Sequence, residues 1–416
     1  MHEKITLPNG VRLLFEDIPH VASATVGIWV ACGSRYEPAR LSGVSHALEH
    51  MVFKGTENRS AARIASDTDA IGGQFNAFTT KECTCFYIRS LTEHLPVAID
   101  VLTDVFFRPL LAASDWETER GVILEEIGMF EDSPEDLVTE RLFGAVFKGC
   151  QLGRPILGSA GALKRLSAGQ ISRYKSENYN SGGIVVALSG QFSASDRESL
   201  LRQFASLPAT SAVVPQPARM TPSFTVRRKA IEQNHFCMAW SALPYGSPDR
   251  YTQQVLSGIL GGGMSSRLMQ EVRESRGLCY SIYSFATSHE DAGLFGIYTA
   301  VSRETEKTAL PLISKVVSDF LRDGPSEDEV VRAREQAKAN VLMSLESTSS
   351  RMTFLGRNEL LLGETKSPQE VVSALNAVSR ESICDLARQI FVPDSLSFSA
   401  IGRVSGAPEY KNLLSS

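Results

Sequence analysis

The chain repeats itself once, and that repeat limits what it can fold into. Four pairs of segments recur at a nearly constant separation of about half the chain. Residues 26–30 (Val-Gly-Ile-Trp-Val) resemble residues 236–240 (Phe-Cys-Met-Ala-Trp), with Trp29 and Trp240 in step. Leu95-Pro96 followed by residues 101–106 resembles Leu310-Pro311 followed by residues 316–321. The helix start Ser114-Asp115-Trp116-Glu117 resembles Ser326-Glu327-Asp328-Glu329, both capping boxes, and residues 185–190 parallel residues 397–402. A duplicated sequence is expected to build one architecture twice.

Within a half the order is strands (residues 11–15 and 24–31), a helix, a hairpin, several helices and a last buried strand. The hairpin pairs residues 74–80 with residues 83–88 after the Gly72-Gly73 break. This order describes an α+β unit, a mixed β-sheet packed with helices. The expectation is two homologous layered domains facing each other across a cleft. Residues 1–207 form the N-terminal domain and residues 223–416 the C-terminal one. Between them, residues 208–222 hold four prolines and form an extended linker.

The halves differ in chemistry. The first carries His46-Ala47-Leu48-Glu49-His50, and the chain has only seven histidines. At about 100° per residue, His46, His50 and Glu49 share an arc of about 100° on one helix face. Val44, Ala47, Leu48 and Met51 fall opposite, so the apolar stripe faces a core and the polar arc a cleft. The order H-x-x-E-H is that of inverted zinc peptidase motifs. In the second half, residues 251–260 take the place of this helix and contain no His, Asp or Glu. One half is therefore expected to bind metal and the other to do something else.

Composition excludes several alternatives. A formal charge of −5 and a pI near 5.9 give no basic footprint for nucleic acid and no polybasic patch for a membrane surface. The N-terminal residues pass straight into an alternating strand, with no leader pattern, so the chain is expected to be cytoplasmic or already processed. Seven scattered cysteines without C-x-x-C pairs suggest neither a disulfide framework nor a thiolate metal site. No G-x-S-x-G accompanies a nucleophile, and the remaining histidines (His2, His20, His94, His235 and His289) have no partner at ligand spacing.

Two histidines need a third protein ligand for zinc. Residues 114–130 are the best source. With Trp116 at the origin of the helical wheel, the apolar Ile123, Ile127 and Phe130 cluster around it and mark the buried edge. Glu126 and Glu119 fall next to each other and flank that stripe, whereas Glu125 falls on the far side and faces water. Phase therefore prefers Glu126 to its neighbour, and two carboxylates beside a buried stripe ask for a nearby positive charge. At the offset of the repeat, Glu126 is replaced by Lys338.

With these residues in place, the chain resembles, over nearly its whole length, the inverzincin family of pitrilysin, insulin-degrading enzyme and the mitochondrial processing peptidase. The context Val122-Ile123-Leu124-Glu125-Glu126-Ile127 with Glu131-Asp132-Ser133-Pro134 is most similar to the short bacterial members with two such domains per chain. The resemblance implies one Zn²⁺ per chain held by His46, His50 and Glu126, with Glu119 as a supporting carboxylate. It further implies a zinc-dependent endopeptidase, and short members of the family often form homodimers.

Zinc would lower the pKa of its bound water, with Glu49 as general base and then proton donor to the leaving nitrogen. Asn76, Ala77, Phe78 and Thr79 follow two glycines and would present an open sheet edge. An extended, unfolded or short peptide would add there as a strand. In the second half, Arg273 and Tyr280 match a pair that in the resembling family reaches the substrate and the tetrahedral intermediate, with Arg267 as the alternative if the helix is phased differently. The competing expectation is a non-catalytic structural or substrate-presenting subunit, although such members typically lose motif residues. A zinc hydrolase acting on something other than peptides is disfavoured by the paired halves.

Overall fold

The structure, a computed structural model, describes residues 2–415. Its strands are β1 (Glu3–Thr6), β2 (Arg12–Asp17), β3 (Ser23–Val30), β4 (Gln74–Thr79), β5 (Thr84–Leu91), β6 (Ile184–Gly190), β7 (Phe224–Arg228), β8 (Asn234–Ala242), β9 (Cys279–Ser288), β10 (Gly293–Val301) and β11 (Ser397–Gly402). The first sheet has the order β1-β2-β6-β3-β5-β4 and the second β7-β11-β8-β10-β9. Each sheet is antiparallel except for one parallel pair, β2 with β6 and β7 with β11. Apart from β1 the two orders are the same, so the sequence repeat reappears as repeated topology. Both domains are sheets layered with helices.

The chain forms two compact units, and packing groups it differently from its linear order. One unit comprises the chain up to Gly128, Arg154–Gln216 and Ser344–Thr365, and the other Met129–Gly153, Pro217–Met343 and the chain from Lys366. Each sheet has two apolar faces, because successive strand residues point to opposite sides. In the first unit Leu13, Phe15, Ile28, Val186 and Leu188 pack against the helices Val44–Val52, Leu95–Phe107 and Ala168–Asn178. The alternate residues Leu14, Trp29, Val185 and Ala187 face the other way and are covered by Met352 and Leu355 of the helix Thr348–Leu362. That helix lies late in the sequence yet completes the early sheet.

Its approach is close. A Cβ at Gly356 would stand 2.1 Å from Trp29 Nε1, and one at Gly27 would stand 2.3 Å from Met352 Sδ. Glu359 at its far end meets Lys4 at 2.7 Å and Arg12 at 3.3 Å. The reverse loan is the helix Pro134–Val146, whose Leu137, Val138, Leu142 and Val146 cover Cys237, Ala239, Tyr298 and Ile401 in the second unit. Amphipathic spacing tells which face of a helix is buried, not which sheet receives it, so the exchange is a tertiary finding. The seven cysteines are all free. Among the described residues no helix is long and apolar enough to cross a membrane.

Candidate metal centre

The motif helix Val44–Val52 starts at Gly43, whose φ of +93° and contact at 2.8 Å from a would-be Cβ to Leu157 O both require glycine. The first N–H groups of a helix lack internal partners. Here the buried Glu37 takes two of them, Oε2 accepting from Gly43 N at 2.7 Å and Oε1 from Ser45 N at 2.8 Å. Burial pushes this carboxyl up to about 8, against the pull of its bonds to Ser45 and Gly43. Val44, Ala47, Leu48 and Met51 are fully buried, and His46, Glu49 and His50 lie on the opposite arc. The rings of His46 and His50 stand 4.5 Å apart between centroids.

The second element is the helix Ala113–Glu131. Trp116, Glu119 and Ile123 are its buried residues, and Trp116 Nε1–H donates to Leu166 O at 2.7 Å. Glu126 continues this inward row and is half-buried, while Glu125 is exposed. Glu126 Oε2 lies 3.7 Å from His46 Nε2 and 3.6 Å from His50 Nε2. One potential ligand atom from each of the three residues falls within 4.8 Å of the other two. A tetrahedral zinc with bonds of about 2.0–2.1 Å needs ligand atoms about 3.3 Å apart. The donor set, two imidazole nitrogens and one carboxylate oxygen, is a zinc set, so these residues fit that ion.

Neighbouring groups prepare these candidate ligands. His50 Nδ1–H donates to Glu119 Oε1 at 2.9 Å, which fixes the tautomer and leaves Nε2 as the lone-pair atom on the Glu126 side. His46 Nδ1 is buried without a hydrogen-bond partner, so packing rather than a bond orients that ring. Burial, with His50 adding to it, lowers His46 to about 4, which keeps the ring neutral and able to bind a metal. Burial pushes Glu119 upward, but Lys54 and His50 outweigh it and hold the carboxyl below its ordinary value.

Glu49 stands apart from the ligand cluster. Burial raises its carboxyl above the ordinary range, partly opposed by the Thr79 hydroxyl, which donates to Glu49 Oε2. A carboxylate shifted towards neutrality is suited to exchanging a proton. Thr79 ends β4, which pairs with β5 alone and forms an edge of the first sheet. Phe75 at the other end of β4 packs on Phe53, just past the motif helix, with ring centroids 4.8 Å apart. Asn76, Ala77 and Phe78 lie between these two ties, and Asn76 Oδ1 accepts from Ala77 N. The strand β4 is thus tied at both ends to the motif helix and the residue that caps it.

Arg273 and Tyr280 belong to the second unit and meet each other there, the guanidinium 5.3 Å above the tyrosine ring. Arg273 sits in a π-helical stretch, Met269–Glu274. Both residues line a cavity of about 390 Å³ with Gly262, Met264, Met269 and Ile282. Tyr280 is 76% exposed. Arg267 is committed elsewhere, to Glu329 at 2.7 Å and to Gly324 O at 2.7 Å.

The sequence reading passed over Glu37 and Lys54. Lys54 was within reach of it, since it follows His50 by only four residues, just past the end of the motif helix. Glu37 was not, because its bonds to the helix start cross an irregular loop.

Comparison with known proteins gives the chain a family. Residues 12–160 match the family described as insulinase (peptidase family M16), and residues 165–337 match the peptidase M16 inactive domain. The chain is 40% identical to the uncharacterized zinc protease YmxG of Bacillus subtilis, covering 95% of this chain and 97% of that one. It is 38% identical to an uncharacterized zinc protease of Streptomyces coelicolor, covering 93% and 86%. Its fold matches that of a crystal structure titled peptidase M16 inactive domain, from Pseudomonas fluorescens, with a TM-score of 0.90 at 21% identity over 97% of this chain and 99% of that one. A protease from Helicobacter pylori matches equally well in fold, at 19% identity and the same coverage. The chain belongs to peptidase family M16, and its relatives carry the name of zinc proteases.

Proposed function

We propose that this protein is a zinc endopeptidase that hydrolyses short or unfolded peptides held as an added strand on β4. The observation that carries the reading is the convergence of His46, His50 and Glu126 within 4.8 Å, with Glu49 tied through Thr79 to the end of an edge strand. One Zn²⁺ would be held by His46 Nε2, His50 Nε2 and a Glu126 oxygen. When bound, it would polarise the scissile carbonyl and make water a better nucleophile near neutral pH.

The remaining steps fall to the protein. Unpaired main-chain groups of β4 would align an extended peptide, since an edge strand offers N–H and C=O groups to any partner of matching length. Asn76, Ala77 and Phe78 would set the register, and a folded substrate would have no free strand to give. Glu49 would take the proton from the attacking water and pass it to the leaving amide nitrogen. Glu119 would keep the His50 ring oriented. In the second unit, Arg273 and Tyr280 line a cavity with a guanidinium and a phenol, both hydrogen-bond donors that would serve a peptide there.

A test uses one polypeptide in two states. A small disulfide-bonded protein, native or reduced and alkylated, is incubated with the zinc-loaded enzyme and the products are read by mass spectrometry. Cleavage of the unfolded form alone, abolished by a chelator and restored by zinc, is the expected result. Equal cleavage of both forms would refute the strand-addition reading, and chelator-resistant cleavage would refute the metal reading.

A further inference from the structure

Lys54 stands at the turn that closes the motif helix, and its ammonium meets Glu119 Oε2 at 2.5 Å. The other oxygen of the same carboxylate receives His50 Nδ1–H at 2.9 Å. Glu119 is 5% exposed, so each of its two oxygens is spent on one partner, a cation on one side and a candidate ligand on the other. The backbone around Lys54 is fixed. Its own N–H donates to Met51 O at 3.2 Å, and Gly55 turns the chain with a φ of +132°. Thr56 and Asn58 then anchor the next residues on Asp104 Oδ2 and Oδ1, each at 2.6 Å.

A buried carboxylate is costly without a compensating charge. His50 serving a metal is a neutral imidazole and brings no charge of its own, so the compensation comes from Lys54.

We propose that Lys54 is a positioning residue for the metal centre. It holds Glu119 in the rotamer that orients His50, so one helical turn carries both a zinc ligand and the charge that secures that ligand's support. The proposal rests on the zinc reading above. Groups that orient a metal-bound histidine typically contribute 10–100-fold to metal affinity. Lys54 acts one step further out, so Lys54→Met is expected to weaken zinc binding by roughly tenfold.

The test is zinc competition against a chromophoric chelator, using full-length wild type, Lys54→Met, Lys54→Arg, Glu119→Gln and the Lys54→Met/Glu119→Gln double variant. Circular dichroism confirms that each is folded. Lys54→Arg should regain most of the affinity, and the double variant should bind no more weakly than Glu119→Gln alone, because Lys54 acts only through that carboxylate. Wild-type affinity in Lys54→Met, or additive losses in the double variant, would overturn the proposal while leaving the zinc site standing. A folded wild type that binds no zinc would overturn both.

Discussion

Two helices hold equivalent places in the repeated topology, each following the central strand of its sheet, and they use their polar residues in opposite ways. In the second unit the helix Arg250–Gly261 satisfies its own polar groups. Gln253 Oε1 accepts from Leu243 N at 3.0 Å, and Ser257 Oγ meets Ser284 Oγ at 3.0 Å. In the first unit the motif helix directs His46 and His50 towards Glu126 without a direct bond to it, at 3.7 and 3.6 Å. Lys338, at the sequence offset of Glu126, pairs instead with Glu335 on its own helix at 2.5 Å. The second unit shows that this architecture folds without the His/Glu cluster, so the cluster is an addition to the fold rather than a condition of it.

The largest effect expected from this comparison is on His50→Ala. It should abolish stoichiometric zinc binding and peptide cleavage while the far-ultraviolet spectrum stays that of wild type, since the counterpart helix manages without histidine. A metal-free variant that fails to fold would break the comparison, because the cluster would then be structural.

A second prediction concerns the exchanged helix. Gly356→Ala drives a methyl into Trp29 and should destabilise the protein by about 1–3 kcal/mol, the range for overpacking a tight core. Gly121→Ala, on the helix Ala113–Glu131 with nothing within 4 Å of its would-be Cβ, should stabilise it by about 0.5–1 kcal/mol. Denaturant titration of the pair sharpens the point, as a residue of the second half is then seen to hold the first unit together.

The last expected effect, read as a slope rather than a loss, is a pH dependence of the metal-free protein. His46 is lowered to about 4 in the folded state, below its ordinary value of 6.5, so the unfolded chain binds the proton first as pH falls. Its contribution is therefore fully present above about pH 6.5 and declines towards pH 4, reaching about 3 kcal/mol in all by linkage. Thermal melts across that window should show a shallower decline in His46→Asn than in wild type. Parallel curves would show that His46 is not responsible.

How much of this was legible beforehand follows from range in sequence. The arc of His46, Glu49 and His50 is a property of one helical turn, and the phase that turned Glu126 inward and Glu125 outward spans a few turns of one helix. Both could be read from spacing. The duplicated sheets could be read because the repeat covers the whole chain. The exchanged helices could not, since Met352 and Leu137 look like ordinary core residues of their own halves until the sheet that receives them is known. The hydroxyl of Thr79 was likewise hidden. As a strand residue it was expected at the substrate edge, and only the packing of β4 beside the motif helix reveals its bond to Glu49.

The most direct measurement compares wild type with Glu49→Gln for two quantities in one preparation, zinc content by mass spectrometry and turnover of a quenched fluorescent unstructured peptide. The expected result is one zinc per chain in both proteins and a turnover about a thousandfold lower in the variant, in the range that a general base contributes. Full activity in Glu49→Gln with zinc still bound would contradict the account.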